Sequence, residues 1–348
     1  TSKHKLRIVL VGFGVVGQSF VKILLSKSAE LYSTFGLNPR VVACVDSDGM
    51  AVSPGGLDLG RLLEAKRTKK SVSAYHDKRD YLNTTDLIEN TEAEVMIELT
   101  PTNLENGEPG ISHIVSAMKT KKHVITVNKG PMALAFSSLI ELSNYNNVRL
   151  AFSGTVGGGT PILEFAKKCL RGDRILSFRG ILNGTTNYIL SKMEEDEITF
   201  QEALADAKQK GYAEASPRLD IEGYDAAAKL VIMANWIMSR KVSIADVTRR
   251  GILDVDLNAI RNAHHDGKAI RLIAYCDNDE LNVMPLEIKR DDPICVTGTL
   301  NAVTFSSEYS GEKTIVGRGA GGLETASAIL RDLIEIRDSI SVPFDSMA

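Results

Sequence analysis

The stretch LRIVLVGFGVVG, residues 6–17, decides the fold of the first part of the chain. Its aliphatic run from Leu6 to Val11 is typical of a buried strand, and a helical pattern follows to about Ser28. The glycines between them permit a tight turn and let a pyrophosphate approach the amino end of the helix. A lone G-x-G-x-x-G signal is weak, but strand, turn and helix in this order predict a dinucleotide-binding unit. The predicted cofactor contacts are Gly12, Phe13, Gly14, Val15, Val16 and Gly17.

Length and charge narrow the class of protein. A chain of 348 residues with 43% hydrophobic content can build the cores of two domains. Its formal net charge of −3 offers no basic field for nucleic acid or for an anionic membrane surface. The sequence also lacks a run of about 18 apolar residues, the length that a membrane-spanning helix needs. We therefore expect a soluble protein that binds neither nucleic acid nor a membrane.

The cysteines indicate a reducing compartment. Cys44, Cys169, Cys276 and Cys295 are widely spaced, form no CxxC pair and lie in apolar sequence, where cysteine is usually a small buried side chain. The amino-terminal residues enter a strand at once, without the apolar core and cleavage site of a signal peptide. The expected location is the cytoplasm.

The end of the second predicted strand, Arg40 to Val45, bears on the choice of cofactor. Asp46 follows it, at the place where an acidic residue bonds the ribose hydroxyls of NAD. The same carboxylate could equally cap the turn formed by residues 47–49. A carboxylate there disfavours a 2′-phosphate, whereas nearby basic residues could bind one. These residues are Arg40, Arg61, Lys66 and Arg67. The choice between NAD and NADP therefore stays open.

Two further strands are predicted to lead into ligand-binding loops. Residues 93–99 run into Thr100 and Pro101, and residues 123–127 lead to Lys129. In a doubly wound sheet, ligands lie beyond the carboxyl ends of the strands, so Thr100 and Pro101 are candidates for contacting the cofactor. Each of these two residues could equally belong to a loop that only connects a strand to the next helix. Lys129 is either a solvated surface lysine or a group that neutralises or orients a substrate.

A glycine run from Ser153 to Pro161 marks the predicted boundary between two domains. Its backbone could turn several carbonyl groups towards a monovalent cation, or it could serve only as a hinge. Strands predominate later in the chain, at residues 269–276, 281–289 and 303–316. They indicate an antiparallel or mixed sheet of the kind that often carries subunit contacts.

The predicted fold class is therefore α/β, with two domains of different construction. A Rossmann-type doubly wound parallel sheet occupies residues 1–152, and an α+β domain with a mixed sheet, for substrate binding and dimerisation, occupies residues 153–317. The glycines of residues 317–322 suit a second backbone approach to the cofactor. They precede a final helix, and we expect residues 318–340 to return to the first domain.

The stretch GYAEASPRLDIEGYDAAAK, residues 211–229, carries the candidate catalytic group. Asp225 and Lys229 share one helix face, with the acid before the base as the helix dipole favours. Taken alone, this is a surface ion pair that contributes about 0–1 kcal/mol. Glu214 and Asp220 bring further carboxylates to the start of a helix that is apolar on nearly every side. The set suits a small zwitterion, whose ammonium group binds carboxylates while Lys229 faces an oxygen.

Further segments extend the pattern over nearly the whole chain: VNKGPMA, GTVGGGTPI, RGILNGTTNYIL and GRGAGGLETA. With GFGVVG and residues 211–229, in this order, they resemble the homoserine dehydrogenase family. The resemblance implies reversible oxidation of L-homoserine to L-aspartate 4-semialdehyde with NAD or NADP, in threonine and methionine biosynthesis, by a homodimer or homotetramer.

The resemblance also implies roles for particular residues. It makes Lys129 and Lys229 the active-site lysines and Asp225 their partner. It assigns substrate binding to Glu214, Asp220, Tyr212, Asn183, Gly184 and Thr185. Lys129, Gly319 and Glu324 join the cofactor set.

In the family, backbone oxygens of the glycine run hold a sodium-type cation, which here implicates Ser153, Val156 and Gly158. Many members have glutamate at the position of Ser153, but the family's contact is mainly through the main chain. Little sequence follows the last predicted helix. We therefore expect neither a C-terminal ACT domain nor a fused aspartate kinase, and no feedback inhibition through such a domain.

Two alternatives remain from the residues alone. An aspartate-semialdehyde dehydrogenase shares the metabolite and the nucleotide fold, but it needs a nucleophilic cysteine paired with a histidine. No cysteine here lies in a glycine-rich or polar catalytic loop. A non-enzymatic NAD(P)-binding sensor would need the glycine loop but not a lysine–carboxylate pocket.

Overall fold

The computed structural model describes residues 5–76 and 83–341. Residues 1–4 and 77–82 of the predicted first domain lie outside this range. The chain divides into two compact units. The first unit ends at Thr155 and resumes at Gly321, and the second comprises Val156–Ala320. The two boundaries predicted from the sequence, after residues 152 and 317, each lie three residues earlier.

The first unit is built on a mostly parallel sheet. Its strands are β1 (Lys5–Val11), β2 (Asn38–Asp46), β3 (Gly49–Val52), β4 (Val95–Glu98), β5 (His123–Thr126) and β6 (Leu150–Ala151). Within the described residues their order is β3-β2-β1-β4-β5-β6, and all neighbours are parallel except the β2–β3 hairpin. The predicted Rossmann-type sheet is confirmed. The antiparallel edge strand β3 was not predicted.

Helices connect the strands of the first unit, and helix numbers follow the order of the whole chain. They are α1 (Val15–Phe35), α2 (Leu59–Lys69), α3 (Thr84–Asn90), α4 (Gly110–Lys119), α5 (Lys129–Leu134), α6 (Phe136–Asn146) and α13 (Gly322–Ser341), with 3₁₀ turns at Val72–Tyr75 and Ser153–Thr155. Ile329 and Leu333 of α13 are fully buried in one core with Ile8 of β1 and Phe20 of α1. The last helix thus belongs to the first unit because its apolar face completes that core.

The second unit contains a mixed sheet. Its strands are β7 (Ile175–Ile181), β8 (Thr248–Arg249), β9 (Lys268–Cys276), β10 (Leu281–Lys289), β11 (Leu300–Ser307) and β12 (Gly311–Arg318). Their order is β12-β11-β7-β9-β10-β8, antiparallel except for the short parallel contact of β8 with β10. The strands predicted at residues 269–276 and 281–289 are confirmed, and residues 303–316 fall within the β11–β12 hairpin.

The helices of the second unit are α7 (Ile162–Glu164), α8 (Gly184–Asp196), α9 (Phe200–Gln209), α10 (Arg218–Ile221), α11 (Tyr224–Ile237) and α12 (Leu257–His265). A π-helical turn, Phe165–Cys169, continues α7, and a 3₁₀ turn covers Ile244–Asp246. Residues 226–235 of α11 are all buried, as its continuous apolar sequence predicted. Among the helices of residues 5–76 and 83–341, none combines the length and apolar character that crossing a membrane requires.

Candidate active site

The glycines at residues 12–17 meet three different requirements. Gly12 has a φ of 104°, and a Cβ there would lie 2.7 Å from the carbonyl group of Leu99. A Cβ at Gly17 would lie 2.6 Å from the carbonyl oxygen of Gly12, so the close approach of α1 to the loop requires glycine. A Cβ at Gly14 would meet no described atom within 4 Å. Packing therefore does not require glycine at residue 14, whereas close approach of a ligand would.

Helix α1 presents an amino end that suits an anion. Its N-cap is Gly14, which has no side chain to accept hydrogen bonds from the N–H groups of the first turn. The first N–H groups and the helix dipole favour a negative group such as a pyrophosphate. Val15 is 74% exposed. The ring of Phe13 is buried in the core, so only the main chain of Phe13 is left to contact a cofactor. The loop therefore fits a dinucleotide.

The start of α13 lies against the same end of α1. A Cβ at Gly322 would be 2.7 Å from Cγ1 of Val15 and 2.8 Å from Oγ of Ser19. Glu324 lies in the first turn of α13. The structure thus places this predicted cofactor residue on an element that packs beside the glycine loop.

The carboxylate of Asp46 is held by protein groups. Its Oδ2 atom pairs with Nζ of Lys66 at 2.7 Å and accepts a hydrogen bond from the Val72 amide at 2.9 Å. Its Oδ1 atom accepts from the amide of Asp48 at 3.0 Å and from the hydroxyl of Ser71 at 3.2 Å. The structure therefore shows the turn-capping contact, one of the two alternatives given by the sequence. A bond from Asp46 to a ribose hydroxyl stays a prediction.

The other predicted cofactor loops follow the parallel neighbours β4 and β5. Lys129 is the first residue of α5, and Asn128 caps this helix by accepting a hydrogen bond from the Gly130 amide at 3.0 Å. The Asn128 amide also donates to Oγ1 of Thr100 at 3.3 Å and to the carbonyl oxygen of Pro101 at 3.4 Å. The two loops are thus tied together at one edge of the first sheet.

In the second unit, α11 positions the lysine–carboxylate pair. Nζ of Lys229 lies 2.8 Å from Oδ2 of Asp225 and donates to the carbonyl oxygen of Leu182 at 2.7 Å. Lys229 is only 7% exposed. The pair is therefore buried, and it is not the solvated surface pair that the sequence left as an alternative.

Asn183 joins two of the predicted carboxylates. Its Nδ2 atom donates to Oδ1 of Asp220 at 2.7 Å and to Oδ2 of Asp225 at 2.9 Å. Its Oδ1 atom caps α8 by accepting from the amide of Thr186 at 2.8 Å and from its hydroxyl at 2.9 Å. These bonds engage both amide hydrogens and both lone pairs of the oxygen. The side chain therefore holds the carboxylates in place, and its contact with a substrate stays a prediction.

The loop at residues 211–217 carries two more predicted substrate residues. The hydroxyl of Thr185 donates to the carbonyl oxygen of Tyr212 at 2.7 Å, and the rings of Tyr212 and Tyr188 have centroids 4.8 Å apart. These contacts hold the loop against α8. Glu214 is exposed on this loop.

The glycine run has tight backbone surroundings. Ser153 donates through its amide to Asp332 of α13 at 3.1 Å, and its hydroxyl bonds the same carboxylate. Val156 is fully buried, and a Cβ at Gly158 would lie 2.9 Å from the carbonyl oxygen of Gly319. Among the described residues, no cluster of three or more His, Cys, Asp or Glu side chains could hold a metal. A cation site built from backbone oxygens stays a prediction.

Gly184, the first residue of α8, is also constrained by packing. A Cβ at this position would lie 2.7 Å from the carbonyl oxygen of Thr299. Close packing against Thr299 therefore requires glycine here by itself, and the contact of Gly184 with a substrate stays a prediction.

The cysteines give no support to a covalent mechanism. All four are free, and burial raises the pKa of the Cys44 and Cys276 thiols, which disfavours the nucleophilic thiolate. Cys169 is exposed and Cys295 is half-buried. The expectation of a buried side chain is therefore wrong for Cys169, which ends the π-helical turn directly after two exposed lysines.

Sequence reasoning missed groups that support the site from a distance. The carbonyl oxygen of Leu182 is a main-chain acceptor, for which a sequence carries no signal. Asn128 does carry one, because an asparagine directly before a helix is a common N-cap. The carboxyl group of Glu98, buried beneath the loops after β4 and β5, was read only as part of a strand.

A parallel nucleotide-binding sheet with an open glycine loop, in a chain that also buries a lysine against a carboxylate, defines an NAD(P)-dependent oxidoreductase. Comparison with family models agrees with this class. A model described as the NAD binding domain of homoserine dehydrogenase matches residues 12–153, and a homoserine dehydrogenase model matches residues 161–334. The chain belongs to the homoserine dehydrogenase family.

Individual relatives match over almost the full chain. A homoserine dehydrogenase of Methanocaldococcus jannaschii is 44% identical, over 95% of this chain and 98% of the relative. An NAD(+)-dependent homoserine dehydrogenase of Pseudomonas canavaninivorans is 35% identical, over 96% of both chains. A hyperthermophilic archaeal homoserine dehydrogenase mutant in complex with NADPH has a TM-score of 0.85 at 28% identity, covering 97% of this chain and 99% of that one.

These comparisons confirm the function predicted from the sequence, the interconversion of L-homoserine and L-aspartate 4-semialdehyde. The two alternatives, an aspartate-semialdehyde dehydrogenase and a non-enzymatic sensor, gain no support from them.

Proposed function

We propose that Lys229 is the group that moves the hydroxyl proton as this chain interconverts L-homoserine and L-aspartate 4-semialdehyde. The single observation that carries this role is the pair of acceptors on Lys229, Asp225 Oδ2 at 2.8 Å and the Leu182 carbonyl oxygen at 2.7 Å. A neutral amine has two hydrogens and one lone pair. With both hydrogens directed at these acceptors, the lone pair is left for a substrate hydroxyl.

The same geometry serves the reverse direction. The ammonium form has three hydrogens, and the two acceptors engage two of them. The third is the proton that Lys229 would return to the alkoxide oxygen as the semialdehyde is reduced. Asp225 keeps the nitrogen oriented in both protonation states, and Asn183 keeps Asp225 in place.

The cofactor supplies a nicotinamide ring that accepts a hydride from the carbinol carbon or gives one back. The residues proposed to hold it are Gly12, Phe13, Gly14, Val15, Val16, Gly17, Asp46, Thr100, Pro101, Lys129, Gly319 and Glu324. One relative is named for NAD(+) and one neighbour was solved with NADPH, so we propose that either dinucleotide can serve.

The substrate residues suit an amino acid with a free ammonium group. Glu214 and Asp220 are proposed to bind that group, because carboxylates form charge-assisted hydrogen bonds with it. Tyr212, Asn183, Gly184 and Thr185 complete the proposed set, and Lys129 is the second proposed active-site lysine. A backbone cation site at Ser153, Val156 and Gly158 is proposed as a structural support.

We further propose a homodimer or homotetramer in the cytoplasm. Leu176, Leu286 and Val316, on three strands of the second sheet, are each more than a third exposed, as expected of a sheet that packs on another copy. The four free cysteines agree with a reducing compartment. Light scattering of the purified chain measures the assembly directly, and a monomer at working concentration would contradict it.

A spectrophotometric assay tests the proposed reaction. The purified chain is mixed with L-homoserine and either NAD or NADP, and formation of the reduced nicotinamide is followed by its absorbance. We expect turnover with homoserine and none with homoserine replaced by L-alanine, which lacks the hydroxyl group. The proposal would be contradicted if the folded protein failed to oxidise homoserine with NAD and also failed with NADP.

A further inference from the structure

A carboxyl group is buried without exposure at the carboxyl end of β4. Glu98 has 0% of its surface exposed, although burying an acidic group is costly and an apolar side chain would pack more cheaply there. No role in the reaction proposed above uses it. Such a group calls for a reason beyond the packing of the strand.

The partners of Glu98 come from two loops of the site. Its Oε1 atom accepts hydrogen bonds from the amide of Thr100, at 3.0 Å, and from the Thr100 hydroxyl. Its Oε2 atom accepts from the hydroxyl of Thr126 at 3.4 Å. That hydroxyl in turn accepts from the amide of Asn128 at 3.1 Å. One carboxyl group is therefore bonded to the segment after β4 and, through Thr126, to the segment after β5.

Helix α4 closes this network from another side. Nδ1 of His113 is buried and lies 3.5 Å from Oε1 of Glu98, at ion-pair distance but outside a hydrogen bond. A Cβ at Gly110, the first residue of α4, would lie 2.8 Å from Nδ2 of Asn128 and 3.4 Å from Oε2 of Glu98. The carboxyl group is thus enclosed by protein, and it has no access to a ligand of its own.

We infer that Glu98 is a positioning residue, which fixes Thr100 and Pro101 relative to the Asn128–Lys129 turn. The inference rests on the proposed function, in which Thr100, Pro101 and Lys129 bind cofactor and substrate. Asn128 links the same two segments through Thr100 and Pro101, so loss of the carboxylate would release both at once. A displacement of about 1 Å in such groups can reduce turnover by about 10²-fold.

The test compares two glutamates at opposite ends of one strand. Glu94 precedes β4 at its amino end and bonds Arg7 through that residue's amide and guanidinium groups. E98Q and E94Q make the same chemical change at the two ends of β4, and both remove acceptor strength from a bonded carboxylate. We expect E98Q to lower kcat for homoserine oxidation by roughly 10- to 100-fold and to raise the cofactor Kd, because the released Thr100 and Pro101 belong to the proposed cofactor site. E94Q is expected to lower the thermal midpoint but to keep kcat.

A milder variant keeps the test decisive if E98Q does not fold. Thr126→Val removes one donor to Glu98 without changing the size of the side chain, and we expect a fall of kcat of a few fold. Equal kcat in E94Q and in whichever of E98Q and Thr126→Val is folded would overturn the inference. The unmodified chain reports separately on the proposed function, since its failure to oxidise homoserine would overturn that function and, with it, this inference.

Discussion

Nζ of Lys229 donates a hydrogen bond of 2.7 Å to the carbonyl oxygen of Leu182, the residue that directly follows β7. This bond fixes the lysine from the sheet side while Asp225 holds it from its own helix. A buried amine with two fixed acceptors has one direction left for a third partner.

Lys229→Ala is expected to lower kcat for homoserine oxidation by roughly 10²–10⁴-fold, the usual range for a lost acid–base group. The cofactor Kd is expected to change little, because the glycine loop lies in the other unit of the chain. Steady-state kinetics and cofactor titration measure both.

The control for this variant is Lys192→Ala. Lys192 also pairs with an aspartate four residues away, Asp196, but in the reverse order and with more of both side chains exposed. It should retain normal kcat. A Lys229→Ala enzyme with kcat near that of this control would move the proton-transfer role to Lys129 or to a bound water.

Gly14→Val is expected to abolish cofactor binding and to leave the fold intact, because a Cβ there meets no described atom within 4 Å. Gly17→Val should also abolish binding but should lower stability as well, since a Cβ there lies 2.6 Å from the carbonyl oxygen of Gly12. Calorimetric titration and thermal melting separate the two effects. Cofactor affinity within a few fold of normal in folded Gly14→Val would refute the assignment of the loop.

Asp46→Ala is expected to weaken NAD more than NADP, because only NAD presents a 2′-hydroxyl to this carboxylate. The variant also removes the partner of Lys66, so some stability should be lost. Lys66→Met is the matched control, since it breaks the same pair and keeps the carboxylate. If Asp46→Ala weakens both cofactors equally, Asp46 serves the turn alone and the preference is set by other residues.

Glu214→Ala is expected to raise KM for homoserine with little change in kcat. A carboxylate that binds the substrate ammonium does so equally in the ground state and the transition state, so its loss removes uniform binding. Glu195→Ala, at an exposed position of α8, is the control. An unchanged KM in Glu214→Ala would remove Glu214 from the substrate site.

The stability of the first unit is expected to fall in mild acid through His123. Burial lowers the pKa of His123 below its ordinary value of 6.5, with a further lowering from the charge of Arg149 that outweighs the opposite effect of Glu94. Because the folded-state pKa lies below the unfolded one, the neutral ring stabilises the fold above the unfolded pKa. This contribution is lost as the pH falls through the folded-state pKa.

Urea unfolding at several pH values tests this dependence against His123→Asn. Nδ1 of His123 accepts a hydrogen bond from the Arg149 amide at 2.9 Å. The asparagine side chain offers an acceptor in place of Nδ1 but does not titrate. We expect the free energy of unfolding to fall more steeply with acid in the unmodified chain than in the variant. Parallel curves would show that His123 does not contribute.

Local patterns in the sequence were sufficient for much of the fold. The aliphatic run before Gly12 and the glycines after it define β1 and the start of α1, since a strand, its turn and the next helix are consecutive. Strands β9 and β10 could be read in the same way from apolar runs bounded by polar turns. Strand β3 and helix α12 were not predicted. Strand β3 has only four residues and owes its state to pairing with β2. Helix α12 shows its start only through the cap of Asp256.

The sequence by itself determined which chemistry is present, because Asp225 and Lys229 lie one helical turn apart and their pairing is a local property. The tertiary structure decided how that pair is held. Asn183 reaches Asp225 across 42 residues, and the carbonyl oxygen of Leu182 reaches Lys229 across 47. The packing of distant segments decides which main-chain oxygen faces the lysine. It also brings Glu98 into contact with the loops after two strands. A linear pattern specifies the elements that pack, but the distances between their atoms arise only when the core closes.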